Sequence, residues 1–203
     1  VIPNDNTNVP GPSNQAFPLN QGDMRYQQVY AADQFGGLTG IISEFAFRVD
    51  EVFGAPFTSG PINTEIRLST TDAAPNAMSL VFADNIGPDE TLVFQGNLML
   101  SSAGDPNVFD IVVDVDDLFG YDGSGNLLVD IKVFGAANTT QFDAAGFGPG
   151  QGGTPWTDRV WAIGVNSTSG SSNGDDGYVT QFTLAGATPV ELQTWGGVKA
   201  RFQ

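Results

Sequence analysis

Four oxygen-bearing side chains fall close together in one Gly-rich stretch. Asp122, Ser124 and Asn126 occupy alternate positions, and Asp130 lies four residues further on. Hard cations such as calcium draw several oxygen ligands from short loops of this kind. As a helix-loop-helix calcium loop the fit is poor, because Leu127 stands sixth where Gly is expected and Val133 twelfth where Glu is expected. The same side chains equally suit a turn in which they bond their own backbone. Asp116, Asp117 and the Asp175-Asp176 pair are weaker candidates, since adjacent acids in loops are commonly just solvated.

A second set is aromatic. Trp156, Trp161, Tyr178 and Trp195 offer flat apolar area with a polar edge, which is what stacking on a pyranose ring needs. Trp161 reads as core from its strand alternation. Trp156, in a Gly/Pro loop, and Tyr178 are the candidates for a glycan-binding groove, and core or loop packing is the competing reading. Paired carboxylates could hydrolyse glycosides, but among 23 acids some pair falls at a workable distance by number alone, and none carries a recognisable apolar pocket signature in the sequence that would raise its pKa. Cysteine and histidine are absent. That removes disulfides, thiolate and imidazole metal sites, and Ser-His-Asp or Cys-His catalysis. The expectation is therefore no enzyme, no required cofactor, and calcium as the one metal to test.

The formal charge is −16, from 23 acids against 7 bases. Nucleic acids and anionic membranes attract basic patches, so neither is an expected partner. No apolar run approaches the length of a bilayer span. A start at Val1 with no basic and apolar leader reads as a processed N-terminus, which points to an exported protein at the cell surface or outside it. Asn138-Thr139-Thr140 and Asn166-Ser167-Thr168 have the form of glycan acceptor triplets, which also arise by chance.

Strands must position these residues. Over 108–134, two β-rich runs flank the Asp122-Gly123-Ser124-Gly125-Asn126 turn. Ile111, Val113 and Val115 share one face of the first, and Leu127, Val129, Ile131 and Val133 one face of the second. Period-two alternation marks half-buried strands, and the turn suits a hairpin or a longer antiparallel connection. Further strands are expected at 25–30, 41–49, 62–70, 91–100, 159–165 and 178–185, with Gly96 as a possible bulge. Glu44 and Arg48, and likewise Glu65 and Arg67, should face outward and pair across strands. Met78, Val81 and Phe82 after Pro75 predict one short helix near 75–84. With 26 Gly and 12 Pro in 203 residues, the sum is an all-β chain: a two-sheet antiparallel β-sandwich, or jelly roll, of about eight strands. Residues 1–24 have the composition of an extended arm, 25–187 form the sandwich, and 188–203 are a tail with two bases, Trp195 and Phe202.

The runs RYQQVY (25–30), IISEFAFR (41–48), SLVFADNIG (79–87), TLVFQG (91–96) and FGYDGSGNLLVDI (119–131) occur in that order. Together they resemble uncharacterised secreted bacterial jelly-roll proteins, many with C-terminal sorting tails of the Pro-Glu-Pro type, over roughly residues 25–185. The Tyr-Asp-Gly to Asn-Leu-Leu piece also resembles adhesin and carbohydrate-binding jelly rolls. The resemblance implies export and a β-sandwich but no activity. The chain departs from the pattern at its end, where TWGGVKARF replaces Pro-Glu-Pro, an apolar helix and an Arg cluster. The functional expectation is an extracellular structural subunit that assembles with copies of itself through residues 1–24 and the tail. The alternative is a carbohydrate-binding or adhesin module with an extracellular glycan as partner.

Overall fold

The computed structural model describes residues 1–146, 155–172 and 176–189. Trp195, Asp175 and residues 190–203 of the expected tail lie outside them. Among the described residues thirteen strands run in chain order: β1 (Ser13–Gln15), β2 (Met24–Tyr30), β3 (Leu38–Phe47), β4 (Phe57–Thr58), β5 (Ile62–Thr71), β6 (Thr91–Leu98), β7 (Ser101–Ser102), β8 (Ile111–Tyr121), β9 (Asn126–Phe134), β10 (Phe142–Ala145), β11 (Thr157–Ile163), β12 (Gly177–Tyr178) and β13 (Gln181–Pro189). Eight are seven residues or longer, and these match the eight expected from the sequence.

All pairings are antiparallel. A five-stranded sheet has the order β11-β2-β9-β5-β6, and a three-stranded sheet the order β13-β3-β8. A smaller sheet, β1-β10-β12, and the β4-β7 pair complete the sandwich. Ile42, Phe45 and Phe47 of the three-stranded sheet share one core with Tyr26, Tyr30, Ile66, Val129 and Ile131 of the five-stranded one. Burial of these side chains, about 1.5–3 kcal/mol each, holds the layers together.

The runs on either side of the 122–126 turn do not form a hairpin. β8 pairs with β3 in one sheet, whereas β9 pairs with β2 and β5 in the other. The turn is thus a corner between sheets, closed by a hydrogen bond from the Tyr121 hydroxyl to the Gly125 carbonyl (2.8 Å) and made possible by Gly123 at φ 72°. In β6 the register slips where Val93 stands opposite the Ile66–Arg67 step, so the bulge is there and not at Gly96. The helix expected near 75–84 is reduced to one 3-10 turn, Phe82–Asn85. Asn85 replaces helical hydrogen bonds by bonding both the N–H and the carbonyl of Ser79. Phe82 is buried, while Leu80 and Val81 are exposed.

The N-terminal arm is sewn onto its own sandwich. Ile2 and Thr180 exchange two main-chain hydrogen bonds, and β1 pairs with β10. Arg48, expected to face water beside Glu44, is fully buried beneath the arm. Its Nη2 donates to the carbonyls of Asn6 and Val9 (both 2.8 Å), and its Nε to Asp143 Oδ2 (2.7 Å). Asp143 Oδ1 accepts the Gly11 N–H. Burial pushes the Asp143 carboxyl above its usual range, against the opposing pull of Arg48. An arm bound in this way is part of the domain's covering, so 1–24 is not a free segment in this structure.

Candidate functional site

The ends of β2 and β5 and the starts of β9 and β11 meet at one end of the five-stranded sheet, where Tyr30 pairs with both Thr157 and Leu127, and Leu127 with Thr70. The loops that follow or precede these strands carry most of the residues singled out above. Trp156 is half-buried, immediately before β11. Its N–H donates to the Gly146 carbonyl and its own carbonyl accepts from Ala31 N–H, so the backbone under the indole is fixed at both sides. Pro155 precedes it and restricts the chain further.

A cavity of about 320 Å³ opens beside this indole, lined by Asp33, Pro75, Asn126, Pro155, Trp156 and the Ala31–Ala32 segment. Asn126 is set by two hydrogen bonds, accepting from Ala32 N–H at Oδ1 and donating from Nδ2 to the Ala73 carbonyl (both 2.9 Å). Asp33 is exposed at the start of a 3-10 turn, Ala32–Phe35. A second cavity of about 440 Å³ draws on the same loops, with Ala73 and Gly125 in its lining next to Ala74 and Asn126 of the first, and its lining includes Asp72, Asp84, Asp89 and Asp122. Three of these carboxylates already accept hydrogen bonds: Asp89 from Thr70 N–H, Asp84 from the Ser79 hydroxyl and Asp122 from Ser124 N–H. The hydroxyl and the N–H of Ser124 hold the Asp122 carboxyl below its usual range.

The four proposed calcium ligands do not converge. Asp122 and Ser124 form a self-bonded turn and Asn126 pins two loops. Asp130 lies in mid-strand, about 13 Å along β9 from Asn126 at the usual rise per residue. There it receives Arg25 Nη2 (2.6 Å) and Gln27 Nε2 (2.7 Å) on the outer face of the sheet. Gln27 also binds Asn85 and the Phe82 carbonyl, and Arg25 stacks over the Phe82 ring at 4.6 Å, so the 79–85 loop is fastened over this pair. Among the described residues no three His, Cys, Asp or Glu side chains are grouped to hold a metal ion.

Tyr178 does not face a groove. It is 1% exposed and packs on Tyr26, Phe47 and Phe142 in the core, with its phenol pushed far above its usual value by burial. Of the two aromatic candidates only Trp156 reaches a cavity, and it shares that cavity with Asn126 from the metal set. Asp33 was missed: a single acid after Ala-Ala carries no signal of its own, and only the fold brings it beside Trp156.

The described bases are already engaged. Arg25 pairs with Asp130, Arg48 with Asp143, Lys132 with Glu65, and Arg67 with Glu65 and Glu90. Arg159 is buried and donates to the Asp176 carbonyl. The cavities at the loop end therefore present carboxylate, amide and indole with no base in their linings. No family model, curated protein or solved structure matches this chain.

Proposed function

We propose that this protein is an extracellular, non-enzymatic β-sandwich module that binds a neutral carbohydrate at its loop end. The observation that carries the reading is the half-buried Trp156, held from both sides of its backbone and walling a cavity that also presents Asp33 and Asn126. A rigid indole face supplies apolar area for a sugar ring, and carboxylate and amide oxygens accept hydrogen bonds from its hydroxyls. Four further acids in the adjoining cavity disfavour uronates and sulfated sugars by like-charge repulsion. Assembly of copies through the N-terminal arm would first require that arm to leave Thr180, β10, Arg48 and Asp143, which places this reading second.

The test is calorimetric titration of neutral oligosaccharides (cellotetraose, mannotetraose, N-acetylated chitotetraose) against an oligogalacturonate. Binding to at least one neutral glycan, weakened about 30-fold by Trp156→Ala as expected for a central aromatic contact, supports the reading. Binding unchanged in that variant, or uronate preferred over every neutral glycan, overturns it.

A further inference from the structure

β12 (Gly177–Tyr178) leads through residues 179–180 into β13, the edge strand of the three-stranded sheet, and the main-chain groups along this outer edge are covered in order until the covering stops. In an antiparallel strand the N–H and C=O of successive residues point alternately to opposite sides. Val179 N–H goes to Asp143, and β13 carries the alternation on from there, residues 181–185 each standing opposite a residue of β3 with the register slipping on the β3 side between Thr183 and Leu184. The even-numbered residues therefore face away from β3. Tyr178 is capped there by the Gln28 side chain, which accepts its N–H (2.8 Å) and donates to its carbonyl (3.0 Å). Gly177 permits that approach, since a Cβ there would strike the Gln28 amide. Thr180 is capped next by Ile2. Beyond Thr180, among the described residues β13 has β3 as its one sheet neighbour, so the outward pairs at Phe182 and Leu184 lie on an uncovered edge.

A groove of about 430 Å³ opens at this point, lined by Val1, Ile2, Phe35, Leu38, Phe182 and Leu184 among others. The position and the vacancy agree. A residue paired with Phe182 on the outer edge would point its side chain to the same face as Phe182, and so into the groove beside Phe35. Its neighbour two residues on would do the same opposite Leu184. Ile2, which is 2% exposed, already makes this arrangement one step earlier, opposite Thr180.

We propose that the free edge of β13 over 182–184 is a strand-addition site for an extended peptide from another protein. The peptide runs antiparallel to β13, in line with the Ile2 bridge, and places apolar side chains at alternate positions into the groove. Main-chain hydrogen bonds supply affinity and the groove selects the alternate side chains. The acidity of the chain favours a peptide that is neutral or basic at its polar positions.

The experiment uses the whole chain and a capped probe peptide, Thr-Val-Thr-Val-Thr-Val-Lys, followed by amide hydrogen exchange at Phe182 and Leu184. At low protein concentration these two amides should exchange quickly, and the peptide should slow both at least tenfold. A peptide N-methylated at its edge-facing amides should lose this protection, and Leu38→Lys, at a partly exposed position lining the groove, should weaken binding about tenfold. Protection of both amides before peptide is added overturns the proposal, because the edge is then already covered. Concentration-dependent protection without peptide also overturns it, with a second copy as the occupant. Peptide binding that leaves both amides unchanged does the same.

Discussion

Replacing Arg48 by Met should loosen the N-terminal arm and destabilise the whole domain, because this side chain ties the arm at Asn6 and Val9 to Asp143 of the body. Arg48 is fully buried and serves Asp143, Asn6 O and Val9 O together. Removing one partner of a buried ion pair costs about 3–5 kcal/mol, since the other charge stays behind unpaired. Of the two freed carbonyls, that of Val9 adds less, because Val9 is 45% exposed, while that of the buried Asn6 loses its Arg48 donor away from water. An overall loss of about 4 kcal/mol is expected at pH 7, a large share of a typical domain's stability. The loss should shrink as pH falls. Asp143 is already raised in the folded state, and without Arg48 it rises further, so between its unfolded value near 3.8 and that raised value the native state binds more protons than the unfolded one. Stability attributable to this group is therefore complete below the unfolded value and lost as pH rises through the folded one. Urea unfolding of the variant at pH 7 and pH 5 measures the effect, and thermolysin cleavage within 1–20 reports the arm. A loss under about 1 kcal/mol with the arm still protected would refute the clamp. In Arg48→Met/Asp143→Leu most of the body's stability should return, because an apolar pair replaces the charged one, while the arm stays cleavable.

All four tyrosines, Tyr26, Tyr30, Tyr121 and Tyr178, have phenols raised by burial, Tyr121 to about 12. A folded pKa above the unfolded one stabilises an acid's neutral form, so this contribution holds below about pH 10 and fades above it; absorbance at 295 nm should show no phenol titrating normally near pH 10. Glu65 is the opposite case. Burial works to raise its carboxyl, but hydrogen bonds from Arg67 and Lys132 outweigh that and hold it below 4.5. Its contribution is present above pH 4.5 and lost as pH falls further, so Glu65→Gln should flatten the acid limb of the stability profile, with only a small effect at pH 7 given the part-exposed partners. Asp130→Ala should cost about 2–4 kcal/mol by stranding Arg25 and Gln27 under the 79–85 loop, measured by thermal unfolding. Millimolar calcium should leave the wild-type melting temperature unchanged, since Asp84, Asp89 and Asp122 are each engaged by a protein donor.

Side-chain alternation made the strands legible, and its limits explain what was misread. In β9 the odd positions 127–133 do face the core, but Leu128 and Asp130 on the other face are buried too, Asp130 beneath Arg25 and Gln27, which the 79–85 loop fastens. Alternation says which residues share a face, not what covers that face. Arg48 falls under the same limit: parity sets it outward from β3, and the arm then encloses it. Nor does alternation assign a strand to a sheet, so a turn that crosses between layers reads like a hairpin. The helix near 75–84 rested on three apolar residues, and the side-chain bonds of Asn85 outcompeted so short a helical turn. Trp156 was legible because Gly and Pro around it mark a loop. Its partner Asp33 comes from a turn more than a hundred residues away, a pairing that only the register of β2 with β11 supplies.

The indole N–H resonance of Trp156, followed by NMR while neutral oligosaccharide is added, tests the loop-end site most directly. A saturable shift of that resonance is expected, accompanied by the amides of Ala32, Asp33 and Asn126, with the Trp161 indole unmoved. Glycan binding that shifts residues elsewhere and leaves Trp156 in place would contradict it, as would no shift at millimolar concentrations of every neutral glycan tried.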